Sequence, residues 1–242
     1  MRLLDRLLGR AGDAQPPEAL APALVAHRAA QAGRDVKALL DACTFVAVDT
    51  ELTGFDPRRH ALVSIGAVRL SGLSILPGTS FYSLVRPPGA VPRDASLVHR
   101  LTASGLGDAP EEAEVLAAFL DFVGDAILVG HHIDLDMGFL SAASRRSLGG
   151  PLVAPCIDTL RLAMAFEEKR LVAGGRAGEA ESLDYSLPAL CRRYGLPEFA
   201  AHDARADALA AAYLFVFLAR KCGRGRALTL DGLWRAGRTW WR

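Results

Sequence analysis

The stretch that decides the fold is Thr44-Phe45-Val46-Ala47-Val48-Asp49-Thr50-Glu51, a run of β-forming residues that ends in two carboxylates. Side chains on a strand alternate between faces, so Asp49 and Glu51 point to one side and Thr50 points to the other. Two anions at the end of an apolar strand repel each other and lose hydration, and a divalent metal ion is the simplest compensation. Taken alone, such a pair is more often a polar strand end that leads into a loop.

The composition describes a globular protein with enough apolar material for a full core. Of 242 residues, 51% are hydrophobic and 23% are charged. The net charge of +1 gives no overall attraction for a polyanion, so any nucleic-acid site must come from local patches. The four cysteines are far apart and form no C-x-x-C pair, which argues against a zinc knuckle and a disulfide framework. With no signal-peptide pattern and no apolar run of membrane-spanning length, we expect a cytoplasmic protein.

The first half of the core has the spacing of a three-strand antiparallel meander. A loop with Gly54 and Pro57 separates the first two strands, and Ser71-Gly72 with a Pro77-Gly78 turn separates the second from the third. A long proline-rich connection follows. The predicted strands cover residues 44–51, 62–70 and 79–86.

Helices and strands alternate in the second half, and residues 171–181 are interpreted as a mobile loop. A meander followed by βαβ units predicts an α/β fold with a mixed five-strand sheet flanked by helices. The predicted helices lie at 24–40, 111–123, 136–148, 159–166, 187–194 and 205–219, and two more strands lie at 126–129 and 153–157. The predicted organisation is an N-terminal helical extension at 1–43 that opens with an amphipathic helix at 1–10, a core domain at 44–222, and a basic, Trp-containing tail at 223–242.

Asp207 lies in a predicted helix that is apolar nearly all round, where a carboxylate is either paired or bound to a metal ion. His202 precedes it by five residues, which on a continuous helix would place the two about 140° apart. Both can serve one site only if His202 lies just outside the helix, with Asp203 as the cap. A histidine on such a loop would suit proton transfer.

Two further acids, Asp134 and Asp136, lie within residues 129–140. If both are helical they are about 200° apart, so only one of them can face a common site. The spacing does not decide which.

Three segments together resemble the DEDDh exonucleases, the family of the proofreading epsilon subunit of DNA polymerase III. The stretch Asp49-Thr50-Glu51-Leu52-Thr53-Gly54 resembles the family's D-x-E-T-T-G, with Leu52 at the fourth place. In the motif H-N-x-x-F-D-x-x-F-L, His131 matches the histidine, His132 stands in place of the asparagine, and Asp136 falls on the functional aspartate. The motif H-x-x-x-x-D is His202 through Asp207, and the resemblance covers residues 44–220 in the correct order.

The resemblance implies a ribonuclease H-like fold and hydrolytic removal of nucleotides from a 3′ end with two Mg²⁺ or Mn²⁺ ions. The implied metal ligands are the four acids Asp49, Glu51, Asp136 and Asp207, which offer the hard oxygen donors that Mg²⁺ prefers. His202 would take the proton from the attacking water, since imidazole titrates near neutral pH. Asp158 is interpreted as a helix cap and Asp134 as a solvated neighbour. The candidate substrate contacts are Thr50, Leu52, Thr53, His99 and His132, with a local structural role as the equal alternative for the two histidines.

The substrate class stays open at this level. DNA with a free 3′ end, single-stranded or frayed, is the leading substrate, in proofreading or repair. An RNA-trimming exonuclease is the closest alternative, because a metal site alone does not read the 2′-hydroxyl. A non-catalytic, polymerase-associated binding module is the alternative from another class. Glutamine occurs only at 15 and 31, so no glutamine-led clamp-binding peptide follows the core, and a polymerase would have to dock on the N-terminal helices or the Arg/Trp tail.

Overall fold

One mixed sheet forms the centre of the computed structural model, which describes residues 19–89, 91–175, 177–200, 202–223 and 228–237. The strands are β1 (Thr44–Leu52), β2 (Leu62–Ser71), β3 (Ser74–Leu84), β4 (Ile127–Gly130) and β5 (Cys156–Asp158), in the spatial order β3-β2-β1-β4-β5. The pairs among the first three strands are antiparallel, and β1–β4 and β4–β5 are parallel. The predicted mixed five-strand sheet is confirmed.

Helices cover both faces of the sheet. They are α1 (Pro22–Ala30), α2 (Arg93–His99), α3 (Ala103–Gly107), α4 (Glu112–Val123), α5 (Ile133–Ser147), α6 (Thr159–Ala173), α7 (Leu187–Tyr194), α8 (Ala204–Gly223) and α9 (Leu230–Gly237). Val46 and Val48 of β1 pack in one core with α1, α4 and α5, whereas Phe45 and Ala47 pack in the other with α6 to α9. The apolar half of β1 is buried on both sides because it lies at the middle of the sheet.

Two predicted boundaries in the first half of the chain were wrong. Helix α1 ends at Ala30 instead of Leu40, because the chain turns at residues 31–33, where Gly33 has a φ of +75°. The β2–β3 turn lies at residues 72–73, and Pro77-Gly78 lies inside β3. Leu70 pairs with Ile75 but Val68 pairs with Ser80, so residues 76–79 form a bulge. An edge strand tolerates a proline there because one side of it carries no ladder.

Two other segments are more helical than predicted. The connection after β3 contains α2 and α3, and α6 continues beyond Phe166 to Ala173, with a 3₁₀ helix at Ala177–Ser182 where a mobile loop was expected. The extension of α6 is anchored by Glu167, which is fully buried. Its carboxylate accepts a hydrogen bond of 2.7 Å from the Tyr194 hydroxyl and pairs with Arg170 at 2.6 Å. Such a long-range anchor leaves no periodic signal in the sequence.

The chain after α8 returns to the domain. The backbone of residues 228–230 bonds to Ala38 and Leu40, and Trp234 packs on the core formed by α6 to α9. The helix expected at 1–10 and two of the tail tryptophans, at 240 and 241, lie outside the described residues. The division into extension, domain and tail stays a prediction. Among the described residues, no helix has the length and apolar character needed to cross a membrane.

Candidate active site

Carboxylates from β1 and α8 meet at the C-terminal end of β1. Asp49, Glu51 and Asp207 each offer one oxygen, and these oxygens lie within 4.8 Å of one another. Asp49 and Glu51 share the face of β1 that also presents Phe45 and Ala47 to α8. The prediction that the two acids point the same way is confirmed.

His202 lies outside the helix that carries Asp207, as predicted. Helix α8 begins at Ala204, and His202 has a φ of +63°. This turn lets the backbone N–H of His202 donate to Asp207 Oδ2 at 2.8 Å. The carboxylate of Asp203 accepts from the N–H of Ala206 at 3.0 Å, which confirms its capping role. The imidazole of His202 is exposed beside Asp207.

Asp136 approaches from the opposite face of the sheet, where α5 packs, and is not one of the three acids whose oxygens lie within 4.8 Å of one another. Its charge nevertheless raises the pKa of Asp49 and Glu51. Only 6% of its surface is exposed, and its Oδ1 accepts hydrogen bonds from the Thr50 backbone N–H at 3.0 Å and the Thr50 hydroxyl at 2.6 Å. Strand β4 pairs with β1 only as far as Ala47, so the N–H of Thr50 has no strand partner on that side. Asp136 takes the place of the missing strand.

Asp134, the other acid of this segment, is ion-paired. Its carboxylate accepts a hydrogen bond of 2.7 Å from the guanidinium of Arg161 on α6. The expectation of a merely solvated neighbour was therefore wrong, because α6 brings a cation against it. The structure thus separates two acids that helical spacing alone left equivalent.

Burial raises the pKa of all four carboxyls, and the charges of other site carboxylates raise the pKa of Asp49 and Glu51 further. The pKa of Asp49 lies well above its usual value, first through burial and then through the charges of Asp136 and Asp207. Burial, followed by Asp207 and Asp136, raises the pKa of Glu51 to about 7. Burial also raises the pKa of Asp136 to about 7 against the hydrogen bonds from Thr50, and raises the pKa of Asp207 against the bond from His202. No Lys or Arg in the described part of the chain pairs with these four carboxylates, and their all-oxygen donor set fits Mg²⁺ or Mn²⁺.

The three residues of the first motif that were predicted as substrate contacts form contacts within the protein. Thr50 donates its hydroxyl to Asp136, and the Thr53 hydroxyl accepts from the N–H of Ala61 at 2.8 Å. Both bonds hold the chain that leaves β1. Leu52 is half-buried against the core beneath α5. A substrate role for these three residues stays a prediction.

Asp158 organises the turn that carries the second motif. Its carboxylate caps α6 by accepting from Leu160 N–H at 2.9 Å, which confirms the helix-cap interpretation, and it also accepts from His132 N–H at 2.9 Å. His132 is exposed and has a φ of +62°, a left-handed conformation in which Asn, Asp and His are enriched. This preference gives a physical reason why histidine can stand where the family has asparagine.

The structure describes the side-chain contacts of His131 but not those of His99. The His131 Nε2 lies 2.9 Å from the Tyr185 carbonyl oxygen and its Nδ1 lies 3.0 Å from the Thr159 hydroxyl. Burial lowers the pKa of His131 to about 4, so its neutral ring donates from Nε2 to the carbonyl. This histidine fastens β4 to the chain before α7. His99 is the last residue of α2, and its side chain lies outside the description.

Two exposed aromatic residues were not singled out from the sequence, one that follows the first motif in the chain and one that shares a sheet face with Asp49. Phe55 follows Gly54 directly and exposes 84% of its surface. A large aromatic in a glycine- and proline-containing loop after the carboxylates was a usable signal. Tyr82 is 43% exposed and lies on the same face of the sheet as Asp49, because Asp49 pairs with Gly66 and Gly66 pairs with Tyr82. The sequence around Tyr82 does not predict the register of β3 on β2 and of β2 on β1.

Comparisons with known proteins match the chain to exonucleases and to DNA polymerase III proteins. The RNase_T family model, described as exonuclease, matches residues 46–215. The DNA polymerase III subunit epsilon of Aquifex aeolicus is 32% identical over 178 residues, which cover 74% of this chain and 81% of that protein. A PolC-type DNA polymerase III of Thermotoga maritima is 32% identical over 173 residues, or 72% of this chain and only 12% of that protein. An epsilon-like protein of Rhodobacter capsulatus is 35% identical over 197 residues, which cover 80% of this chain and 26% of that protein.

Solved structures share the fold. Exonuclease X in complex with 5′ overhanging duplex DNA has a TM-score of 0.56 and 23% identity, covering 78% of this chain and 96% of that chain. E. coli exonuclease I in complex with a dT13 oligonucleotide has a TM-score of 0.62 and 17% identity, covering 75% of this chain and 42% of that chain. The ribonuclease H-like fold is confirmed. Because the family model matches most of this chain, the chain belongs to the RNase_T exonuclease family.

Proposed function

We propose that the protein is a metal-dependent 3′→5′ exonuclease that hydrolyses phosphodiester bonds at the 3′ end of DNA. The observation that carries this proposal is the convergence of Asp49, Glu51 and Asp207, whose oxygens lie within 4.8 Å of one another. Asp136 adds a fourth carboxylate from the opposite face of the sheet. Four oxygen donors without a compensating cation favour a site for two Mg²⁺ or Mn²⁺ ions.

The chain's own residues divide the chemical work between them. When bound, the divalent ions supply Lewis acidity that activates the attacking water and neutralises charge on the attacking and leaving oxygens. The four carboxylates hold the ions. His202 is the proposed general base, because its ring is exposed on a turn whose backbone is tied to Asp207. Thr50 fixes the orientation of Asp136 through two hydrogen bonds.

The proposed substrate is single-stranded or frayed DNA with a free 3′ end. Phe55 follows Glu51 by four residues and offers an exposed aromatic ring, and such a ring stacks with any base. The similar structures of exonuclease X and exonuclease I hold DNA, and several relatives are named as DNA polymerase III proteins. These names support a role in proofreading or repair in the cytoplasm, with association to a DNA polymerase as part of the proposal.

The test is an assay on 5′-labelled single-stranded, 3′-mispaired and fully paired DNA with Mg²⁺ or Mn²⁺. We expect stepwise shortening from the 3′ end, slowest on paired DNA, and no product in EDTA or from the Asp49→Ala variant. RNA oligonucleotides of matched sequence separate the DNA enzyme from an RNA-trimming one. Release from the 5′ end, or full activity in Asp49→Ala, would overturn the proposal. Metal binding with no hydrolysis of any substrate would instead favour a non-catalytic binding module.

A further inference from the structure

A second surface lies beside the carboxylates on the same face of the sheet. The register places Asp49 opposite Gly66 and Gly66 opposite Tyr82. Neighbouring strands are about 4.8 Å apart, so Tyr82 stands about 10 Å from Asp49 across the sheet. Both side chains point towards the start of α8.

The first turn of α8 crosses this row on the bare backbone of β2. A Cβ at Gly66 would lie 2.2 Å from the carbonyl carbon of Ala204 and 2.2 Å from the nitrogen of Arg205. From this position the helix sends Asp207 to the carboxylates on one side and Arg205 to Tyr82 on the other. The metal-ligand cluster and Arg205 are thus fixed relative to each other by one helical turn.

Arg205 is oriented but not neutralised. Its guanidinium carbon lies 5.7 Å from the centre of the Tyr82 ring, within the range of a cation–π contact, and the residue is exposed. In the described part of the chain, Arg205 forms neither an ion pair nor a hydrogen bond. The five N–H donors of its guanidinium are therefore available to a ligand.

A cavity of about 580 Å³ opens along this surface, lined by Arg205 and Asp203 from the start of α8, residues 77–79 of the β3 bulge, Phe199 and Tyr213. This volume lies in the range of sites that take small molecules of nucleotide size. Arg205 is the one Lys or Arg among the described residues of this lining, and the carboxylate of Asp203 accepts a hydrogen bond from the Ala206 N–H. A cation beside an acidic cluster is suited to an anion that approaches that cluster.

We infer that Arg205, held against Tyr82, binds a backbone phosphate of the nucleic-acid strand on the 5′ side of the bond cleaved at the carboxylates. This inference rests on the proposed function. A planar guanidinium matches phosphate geometry with two donors, and a contact to phosphate carries no sequence preference. Tyr82, against which Arg205 rests, is about 10 Å from Asp49 across the sheet. Because a 3′-terminal nucleotide carries no phosphate beyond the cleaved bond, any other backbone phosphate that Arg205 contacts lies on the part of the strand still to be degraded.

The first test compares Arg205→Ala with Arg220→Ala, an exposed arginine at the other end of the same helix. On single-stranded DNA, Arg205→Ala should raise KM roughly tenfold, the loss expected for one charge-assisted contact, while kcat stays within about twofold. The dependence of log KM on log salt concentration should weaken by about one phosphate contact. Arg205→Lys should restore part of the affinity, and Arg220→Ala should match the wild type. An unchanged KM and salt dependence in Arg205→Ala would overturn the inference.

A second readout separates this contact from the metal site. The p-nitrophenyl ester of thymidine 5′-monophosphate has no upstream phosphate, so Arg205→Ala should hydrolyse it at the wild-type rate with the same Mn²⁺ requirement. An equal loss on the ester and on DNA would mean that Arg205 acts through the carboxylates, which also overturns the inference.

Failure of the proposed function is distinguishable from failure of this inference. If the wild type cleaves neither the ester nor DNA, the proposed function fails. The phosphate contact is then measured by the binding of a fluorescein-labelled single-stranded oligonucleotide to the full chain with Ca²⁺. Weaker binding by Arg205→Ala than by Arg220→Ala supports the contact, and equal binding by the two variants overturns it.

Discussion

The backbone N–H of His202 donates a hydrogen bond of 2.8 Å to the carboxylate of Asp207, five residues further along the chain. On a continuous helix these residues would be about 140° apart. The φ of +63° at His202 and the helix start at Ala204 bring the backbone back to Asp207. The H-x-x-x-x-D spacing therefore specifies a helix end rather than a helix face, and it leaves the His202 side chain exposed.

Replacing His202 by Asn should separate its two roles. Asn keeps the backbone N–H and tolerates the left-handed conformation, so Mn²⁺ and DNA binding should be retained. The loss of the general base should lower kcat by about 10²–10⁴-fold. His202→Ala should lose the same turnover, and it should also lose about 1 kcal/mol of stability at the positive φ. Calorimetric titration with Mn²⁺ and single-turnover kinetics check this, and an equal loss of metal binding in the Asn variant would make the ring a metal-site group.

Asp136→Ala should abolish exonuclease activity, whereas Asp134→Ala should leave most of it. The two acids are two residues apart on α5, but Asp136 accepts from Thr50 at the strand end and Asp134 pairs with Arg161. Asp136→Asn is the sharper variant, because an amide oxygen can still accept from Thr50 and so preserves the fold. Nucleotide release from labelled DNA measures all three variants. Activity lost in Asp134→Ala but kept in Asp136→Ala would refute the alignment of the second motif.

The sequence was sufficient for the part of the site that depends on local periodicity. Asp49 and Glu51 lie together because side chains on a strand alternate, and His202 lies outside α8 because five-residue spacing does not fit a helix face. The choice between Asp134 and Asp136 depends on where β4 stops pairing with β1, which is a property of the sheet register. Tyr82 escaped notice for the same reason, since only cross-strand pairing places it on the face of Asp49. Arg205 escaped notice because the packing of α8 on Gly66 brings it there.

The ends of helices and strands that depend on contacts with distant residues could not be predicted from the sequence either. The end of α6 is set by Glu167 bonding to Tyr194, which lies 27 residues later. The position of Pro77-Gly78 is set by a bulge in the β2–β3 ladder, although the same dipeptide is typical of turns. Local propensity competes with tertiary contacts in both places, and the tertiary contacts win.

The metal-free protein should lose stability as pH rises from about 4 to about 7. The pKa of Glu51 is raised from 4.5 to about 7 and that of Asp136 from 3.8 to about 7, in both cases first by burial. In this window the folded protein retains protons that the unfolded chain has already released, so raising the pH favours unfolding. For a carboxyl shifted as far as Glu51, the change is about 3 kcal/mol.

Thermal unfolding in EDTA at pH 5 and pH 8 measures this effect. The Tm of the wild type should be lower at pH 8, and Glu51→Gln should reduce the difference because its amide does not titrate. Added Mn²⁺ should raise Tm more at pH 8 than at pH 5, since metal ions compete with protons for the carboxylates. A metal-free protein that is equally stable at both pH values would contradict the assigned pKa shifts.

Phe55→Ala should weaken the binding of single-stranded DNA. Its ring is 84% exposed, so its removal costs the fold little. The loss of one base–aromatic stack should raise KM by about 5–100-fold with a smaller change in kcat, and Phe55→Trp should restore most of the affinity. Val172→Ala, which truncates another exposed apolar side chain, on α6, is the control. A wild-type KM in Phe55→Ala would exclude the ring from substrate binding.

Gly66→Ala should damage turnover by moving Asp207. The added Cβ would meet the backbone of Ala204 at 2.2 Å, and backbone cannot rotate away as a side chain can. Helix α8 must therefore shift outwards, away from Asp49 and Glu51. A displacement of about 1 Å is enough to lower kcat by about 10²-fold, and the overpacking should cost about 1–3 kcal/mol of stability.

The control for this substitution is Gly107→Ala, since a Cβ there meets no atom within 4 Å. Beyond the loss of kcat, Gly66→Ala should require a higher Mn²⁺ concentration for half-maximal activity, because one ligand of the cluster is displaced. A merely destabilised protein would show a lower Tm with an unchanged Mn²⁺ requirement at temperatures where it is folded. That result would remove Gly66 from the positioning of Asp207, whereas a shifted Mn²⁺ requirement places the close contact between β2 and α8 at the origin of the site's geometry.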